Sequence, residues 1–319
     1  MNRRRALSTP AAAGVFVFAA LLAGCATPPM TAALATQPPA PLARQTLLAQ
    51  VPFIPQEDYQ CGPAALAMVL AADGAVVSAE ALVAQVYLPA RGGSLQVEML
   101  AAARRHGRLA VVLPARLDAV LAEVDAGRPV IVLQNLSLPA LPRWHYAVVI
   151  GYDLERQEIV LHSGTRARLA LPMSVFERTW ARSEHWAMVA TAPPVLPSSP
   201  DAASLLSAIA ALERVDADAA VRAYAALTER HPSLYGAWLG LGNASHSTGD
   251  LAGAERAFSR ATQIDPQSAD GWNNLALTQL ALGRVSDARV SAQRAVALGG
   301  PRAARYRETL DAIERRRGS

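Results

Sequence analysis

One cysteine of the chain, Cys61, lies in a sequence setting that suits a nucleophile. The chain has 319 residues and two cysteines, and Cys61 stands in the segment DYQCGPAAL, residues 58–66. Pro63, followed by an apolar run, predicts a helix that begins at the thiol. The positive end of a helix dipole favours a thiolate over a thiol. The pattern therefore predicts an ionised, reactive sulfur rather than a small buried hydrophobe, the usual state of a free cysteine.

A thiolate nucleophile needs a nearby base, and four histidines of the central region are candidates. They are His106, His145, His162 and His185. His145 begins the apolar segment HYAVVIGYD, 145–153, after a loop at 135–143 with two prolines. This order favours a position that faces a cleft at a sheet edge. His106 closes a predicted helix, where a basic residue suits the dipole, and His185 is equally consistent with the surface. The predicted base is His145.

The N-terminal sequence predicts secretion and a lipid anchor. Residues 1–24 combine a basic head, a short apolar core and the ending LAG before Cys25, an order typical of a bacterial signal. The LAGC ending resembles a lipobox, which implies cleavage before Cys25 and attachment of lipid to its sulfur. A membrane-spanning helix needs about 20 apolar residues, and this run is shorter and interrupted by Gly14. No aspartate follows Cys25, so the resemblance implies the outer membrane, facing the periplasm.

Charge and composition argue against nucleic acid and metal as partners. All 30 basic residues are arginine, against 26 acidic residues. Three arginines lie in the predicted signal, so 27 basic and 26 acidic residues leave the processed chain at about +1. No basic stripe with interleaved aromatic residues is present. One cysteine and scattered histidines give no zinc-ligand spacing, so we expect no metal or other cofactor.

Two proline-rich segments divide the rest of the chain. Residues 25–47, rich in Ala, Pro, Thr and Gln, predict a flexible tether, and residues 193–200 predict a linker. Residues 48–192 between them have the size of a domain, with helices predicted first and strands later, which indicates the α+β class. The helices are predicted over 63–72, 78–87, 95–106 and 117–126, and the strands over 109–113, 130–134, 145–152, 158–162, 168–171 and 186–190.

Residues 201–319 contain a repeat of 34 residues, marked by Trp238 and Trp272. The matching positions are Trp238, Leu241, Gly242, Ala254, Phe258, Ala261 and Pro266 in one copy, and Trp272, Leu275, Ala276, Ala288, Ala292 and Ala295 in the next. This pattern resembles the tetratricopeptide repeat, whose small residues let paired helices approach. A degenerate copy is predicted at 201–234 and a capping helix at 301–317. The resemblance implies an all-α solenoid that binds a peptide or protein partner; the alternative is a mere spacer.

The central domain resembles the bacteriocin-processing, double-glycine leader peptidases, which are papain-like cysteine peptidases. The motifs that carry the resemblance are QCGPAAL at 60–66, GRPVIVL at 127–133 and HYAVVIGYD at 145–153. The resemblance covers about residues 48–191. It implies Cys61 as the nucleophile and His145 as general base and acid. It also implies that Gln60 donates to the oxyanion beside the Cys61 backbone N–H.

One position departs from the family pattern. The family's third catalytic residue is an aspartate followed by proline, on the strand after the histidine, and here the pair HS at 162–163 stands at that place. A carboxylate orients the base and stabilises its cation, and a neutral histidine does the second less well. His162 is predicted to orient His145, with Asn135 or Asp153 as alternatives.

Together these patterns predict a membrane-anchored periplasmic cysteine peptidase that cleaves a peptide bond in an exported polypeptide. The repeats would recruit the substrate or a protein partner. Two alternatives stay open from the sequence: a cysteine-dependent acyl or amide transfer such as deamidation or transpeptidation, and a non-catalytic protein-binding scaffold. No phosphate-binding loop of the GxxxxGKS type is present, so ATP-driven export is not implied.

Overall fold

The protein contains a mixed helix-and-sheet domain followed by an array of helices. A computed structural model describes residues 27–37, 42–56 and 60–317. The predicted signal at 1–24 and the predicted lipidation residue Cys25 lie outside the described residues. No helix in the described ranges is long and apolar enough to cross a membrane.

The first domain follows the α+β class that the sequence predicts. Its helices in the described residues are α1 (Pro29–Thr36), α2 (Cys61–Ala72), α3 (Ala79–Val86), α4 (Gln96–Arg105), α5 (Leu117–Asp125) and α6 (Met173–Ala181). Its strands there are β1 (Gln45–Leu47), β2 (Tyr87–Leu88), β3 (Gly93–Ser94), β4 (Leu109–Val112), β5 (Val130–Asn135), β6 (Trp144–Asp153), β7 (Glu158–Ser163), β8 (Arg166–Pro172) and β9 (Ala187–Thr191).

The predicted helices and strands between 63 and 190 are present, with ends that differ by one or two residues. Helix α6 is absent from the sequence prediction. Its apolar residues Met173, Phe176 and Trp180 recur at helical spacing and are buried. Glu177, a charged residue, is buried among them and interrupts the apolar pattern that identifies a helix.

Strand β6 organises the main sheet, whose strands run in the order β4, β9, β5, β6, β7, β8. Residues 144–149 pair antiparallel with β5, residues 148–153 pair with β7, and β1 joins at 151–153. A side chain on Gly151 would meet the Thr46 carbonyl oxygen at 2.6 Å, so β1 approaches only because this residue is glycine. Helices α2 and α5 both pack on β6.

The segment predicted as a flexible tether is partly folded onto the domain. Helix α1 begins at a carboxylate: the backbone N–H groups of Met30 and Thr31 donate to Glu177 at 3.0 and 2.7 Å. The Thr31 hydroxyl also donates to it, at 2.6 Å. Free N–H groups at a helix start favour such an anion. The prediction of a flexible tether is therefore wrong for Pro29–Thr36, which form a helix. The sequence around these residues does not reveal the helix, because the carboxylate that caps it lies 146 positions away in the chain.

The proline-rich segment at 193–200 is fastened to the first domain by a buried carboxylate. Glu123 on α5 accepts hydrogen bonds from the backbone N–H groups of Ser198 and Ser199 at 2.9 and 2.7 Å. Its other oxygen pairs with Arg128, and the Glu123 side chain is fully buried. The segment is thus an ordered junction rather than a free linker.

Within residues 201–317, the part of the second domain that the structure describes, seven helices match the predicted repeats. They are α7 (Ala202–Glu213), α8 (Ala217–Arg230), α9 (Tyr235–Ser247), α10 (Leu251–Ile264), α11 (Ala269–Ala281), α12 (Val285–Leu298) and α13 (Ala303–Arg317). A side chain on Gly242 would lie 2.5 Å from the ring of Phe258, so the aromatic ring fills space that only glycine leaves. The two repeat tryptophans make the same bond, each donating to the carbonyl oxygen of a proline six residues earlier.

The helical array packs directly on the first domain. Helix α7 contacts β4 at the edge of the sheet, and one continuous hydrophobic cluster runs from Leu48 to Ala244. The Arg230 guanidinium on α8 donates to the carbonyl oxygens of Leu196 and Pro197 in the junction. The two domains therefore form one packed body.

Replacing Glu123 by alanine should destabilise the protein by about 3–5 kcal/mol, because it leaves the half-buried Arg128 guanidinium unpaired and removes the acceptor of two junction amides. Chemical denaturation measures the change. Glu155→Ala is the matched control, since Glu155 pairs with Arg44 on the surface and exposed pairs contribute little. Equal stabilities for the two variants would show that the buried carboxylate does not hold the junction.

Candidate active site

Cys61 is the first residue of α2, as the sequence predicts. Its sulfur accepts hydrogen bonds from the backbone N–H groups of Tyr146, Gly62 and Cys61 itself. Burial nevertheless raises the pKa of the Cys61 thiol above its ordinary value, because burial outweighs the lowering by these donors. The direction of this shift favours the neutral thiol over the thiolate that the helix dipole predicts.

The residue after the nucleophile must be glycine for α2 to reach its place. A side chain on Gly62 would collide with Ser94, whose Cβ would lie 2.7 Å away. The carbonyl oxygen of Ser94 accepts a hydrogen bond from the Tyr146 hydroxyl at 3.2 Å. These contacts tie the start of α2, the short strand β3 and strand β6 together around the sulfur.

His145 lies near the start of β6 and is half-buried. Its Nε2 atom is 2.9 Å from the hydroxyl oxygen of Ser163, at the end of β7. Burial, and secondly the positive charge of Arg143, lower the pKa of His145 to about 4. The imidazole is therefore neutral near pH 7 and able to accept a proton.

Strand β6 carries His145 and also contacts Cys61 through the backbone of the next residue. Tyr146, whose N–H donates to the Cys61 sulfur, directly follows His145 in the strand. Because Nε2 faces Ser163, Nδ1 is the ring nitrogen that remains for the thiol proton. The start of α2, which carries the thiol, thus lies against the strand that carries the imidazole.

His162 does not orient His145. Successive residues of a strand point to opposite faces, so the His162 ring lies across β7 from the Ser163 side chain. Its Nε2 is 3.2 Å from the Val51 carbonyl oxygen, and its Nδ1 accepts a hydrogen bond from the Arg168 backbone N–H at 3.2 Å. The structure therefore corrects the expectation for the third position: Ser163, not His162, contacts the base.

The two alternatives for that position also lie elsewhere. The buried Asn135 accepts hydrogen bonds through its side-chain oxygen from the backbone N–H groups of Ser137 and Arg143, at 3.0 and 2.9 Å. It closes the loop that precedes β6. Asp153 stands at the far end of β6 and accepts a hydrogen bond from the turn that follows.

The remaining histidines have structural contacts away from the sulfur. His106 ends α4, and its Nε2 is 3.2 Å from the side-chain nitrogen of Gln85. The ring of His185 packs edge-on against Trp180 with centroids 4.9 Å apart. Gln60 directly precedes the nucleophile and is half-buried, and its carbonyl oxygen accepts an early backbone bond of α2.

A second glutamine, Gln56, fastens the site and is not identified by the sequence. Its Nε2 donates to the Tyr146 carbonyl oxygen at 3.3 Å, and its Oε1 accepts from the Gly164 N–H at 3.0 Å. Tyr146 and Gly164 directly follow His145 and Ser163, so Gln56 fixes both strands where the imidazole meets the hydroxyl. No local pattern reveals it, because its partners are 90 and 108 positions away.

Comparisons with known proteins divide the chain in the same way. The Peptidase_C39 like family matches residues 48–188, and two tetratricopeptide repeat families match residues 205–269 and 245–310. The chain therefore consists of a C39-like peptidase domain followed by tetratricopeptide repeats, which indicates a peptidase joined to a protein-binding array. Comparison with curated proteins gives no match.

Two solved structures are among those that match parts of this chain. A protein from Bacillus anthracis described as a C39-like peptidase is 18% identical, and the match covers 47% of this chain and 98% of that chain with a TM-score of 0.40. The type III secretion translocator chaperone SycD of Yersinia enterocolitica is 20% identical. That match covers 38% of this chain and 89% of the other, with a TM-score of 0.36.

Changing Ser163 to aspartate should raise the pKa of His145, because a carboxylate beside Nε2 stabilises the imidazolium. An increase of about one unit in this pKa would raise the protonated fraction of His145 near pH 6 roughly tenfold. NMR titration of the ring measures the pKa. Iodoacetamide should then alkylate Cys61 faster in Ser163→Asp than in the parent. The matched control is His162→Gln, whose side chain lies on the other face of β7. A larger effect of His162→Gln on the pKa of His145 would contradict the assignment of Ser163.

Proposed function

We propose that this protein is a lipid-anchored cysteine peptidase of the bacterial cell envelope, which cleaves a peptide bond in an exported polypeptide. The observation that carries the proposal is a pair of contacts near the start of β6. The Cys61 sulfur accepts the Tyr146 N–H, and His145, one residue earlier, is held by Ser163. The C39-like domain supports the peptidase activity, and the signal and lipobox sequence at 1–25 supports the location.

Cleavage begins from the neutral pair. The His145 imidazole takes the thiol proton as the Cys61 sulfur attacks the carbonyl carbon of the substrate. The Gln60 side-chain amide and the Cys61 backbone N–H donate to the oxyanion that forms. The imidazolium then gives its proton to the leaving amine, and the acyl group stays on the sulfur as a thioester. Water, deprotonated by His145, hydrolyses the thioester, which releases a carboxylic acid and restores the thiol.

The Ser163 hydroxyl is a suitable partner for His145 if both the imidazole and the Cys61 thiol are uncharged before the substrate binds. Ser163 holds the ring through Nε2, but it does not stabilise an imidazolium as a carboxylate would. Deprotonation of the thiol and attack by the sulfur therefore occur in one step instead of from a preformed ion pair. We expect the reaction to be slower than in a cysteine peptidase whose third residue is a carboxylate.

The tetratricopeptide repeats recruit the substrate or a protein partner in this proposal. Such arrays bind extended peptides and proteins along their concave surface. Here the array is packed on the peptidase domain through α7 and β4. A polypeptide bound by the repeats is thereby held at a fixed position relative to Cys61, while lipid on Cys25 keeps both domains at the outer membrane, facing the periplasm.

Acylation of Cys61 should be lost as the pH falls through about 4, because His145 acts as the base only while it is neutral. The pKa of His145 is lowered to about 4, so the ring is neutral above that pH and protonated below it. The measurement is the initial rate of thioester formation from an activated ester between pH 3 and 8. Arg143→Gln should raise the midpoint, since it removes a neighbouring positive charge. A midpoint near 6.5 in the unaltered protein would contradict the neutral-base mechanism.

Cys61→Ala should abolish the processing of the natural substrate, and His145→Ala should reduce it by about 10²-fold or more. The measurement compares the N termini of envelope polypeptides from cells that carry the parent or a variant protein. Glu155→Ala is a matched surface control and should leave the processed termini unchanged.

Identical termini in parent and Cys61→Ala cells would refute the peptidase. Cysteine-dependent conversion of glutamine to glutamate, or new amide cross-links, would instead identify an amide-transfer enzyme. If none of these cysteine-dependent changes occurs and the protein still binds its partner, the protein is a scaffold.

A further inference from the structure

The loop before His145 carries the densest group of exposed large apolar side chains on the peptidase domain. We call residues 136–144, LSLPALPRW, the apolar loop. Leu138 is 65% exposed, Leu141 is 73% exposed and Trp144 is 51% exposed, with Leu136 exposed beside them. The loop also contains Arg143 and no acidic residue. Apolar side chains of this size are seldom left in water without a surface to meet.

The apolar loop is held in place by specific bonds. Asn135 binds the backbone N–H groups at both ends of the loop, as described above, and the Leu136 N–H donates to the Arg143 carbonyl oxygen at 2.9 Å. The Arg182 guanidinium, just after α6, donates to the carbonyl oxygens of Asn135 and Ser137 at 3.1 and 2.7 Å. The leucines and the tryptophan are therefore displayed by a fixed turn.

The same helix that supports the apolar loop also receives the N-terminal segment. Glu177 on α6 caps α1, and Arg182 lies five residues further on, about 8 Å along a helix axis. Cys25, the predicted lipid attachment point, precedes Pro28 by three residues, which span at most about 11 Å. A lipid on Cys25 would therefore be held on the side of the domain where α1 meets α6, the helix that also leads to Arg182.

We propose that the apolar loop inserts into the surface of the membrane that holds the lipid anchor. This inference rests on the lipid attachment in the proposed function. Tryptophan, leucine and arginine are side chains suited to the boundary between headgroups and acyl chains. Because the anchor makes the second contact intramolecular, a loop of weak intrinsic affinity is sufficient.

Insertion of the apolar loop places the active site at the bilayer surface, since His145 directly follows Trp144. The substrate class that fits this position is a polypeptide segment that lies at or leaves the membrane surface. A segment free in the periplasm would have to approach a site that faces lipid.

The test uses Cys61→Ala, which leaves Cys25 as the only cysteine of the chain. The processed chain is coupled through Cys25 to a maleimide-bearing lipid in phosphatidylethanolamine–phosphatidylglycerol vesicles with brominated acyl chains, and quenching of tryptophan fluorescence is measured. We expect quenching in this parent and loss of most of it in Trp144→Phe. The matched control is Trp238→Phe, in the repeats, which should retain the quenching. Leu138→Ser with Leu141→Ser should also reduce it, whereas Val97→Ser, at another exposed apolar site, should not.

Equal quenching in Trp144→Phe and Trp238→Phe, or none in the parent, would overturn the inference. A second result would also overturn it. The leucine variants would leave the quenching intact and, introduced into the chain that retains Cys61, would slow the acylation of Cys61 by an apolar peptidyl ester. The loop would then be a substrate surface. Quenching is measured in Cys61→Ala, which has no peptidase activity. Its outcome is therefore independent of whether the proposal of a peptidase is correct.

Discussion

The candidate site depends on one backbone hydrogen bond, from the N–H of Tyr146 to the sulfur of Cys61. This bond joins the start of a helix to the start of a strand, and the base precedes its donor by one residue. The surrounding contacts act on the same two backbones. Gly62 lets the helix approach, and Gln56 fixes the strand beside it. A change that separates α2 from β6 therefore moves Cys61 away from the strand that carries His145, without altering either residue.

Burial acts on both members of the pair in the direction of the uncharged form. It raises the pKa of the Cys61 thiol and lowers the pKa of the His145 imidazole. The uncharged hydroxyl of Ser163 fits this environment, since a carboxylate there would be desolvated unless the imidazole were protonated. The hydroxyl of Ser163 and the neutral pair are thus parts of one electrostatic arrangement.

Local patterns were sufficient for the fold class, for most helices and strands, and for the start of α2 at Cys61. Local patterns failed where the structure depends on contacts between residues that are far apart in the chain. Which of the residues His162 and Ser163 faces the base depends on the register of β7, and that ladder shifts between Val149 and Gly151. A shift of one residue exchanges the faces of a strand. Helix α1 and the ordered junction depend likewise on buried carboxylates far along the chain, which composition alone does not reveal.

The neutral resting thiol also has a consequence for chemical durability. Oxidants convert the thiolate, not the thiol, to sulfenic acid and then to irreversible acids. A sulfur that becomes anionic only while a bound carbonyl is being attacked spends little time in the vulnerable form. A cysteine held in this way therefore keeps its thiol and resists oxidative damage while no carbonyl group is bound.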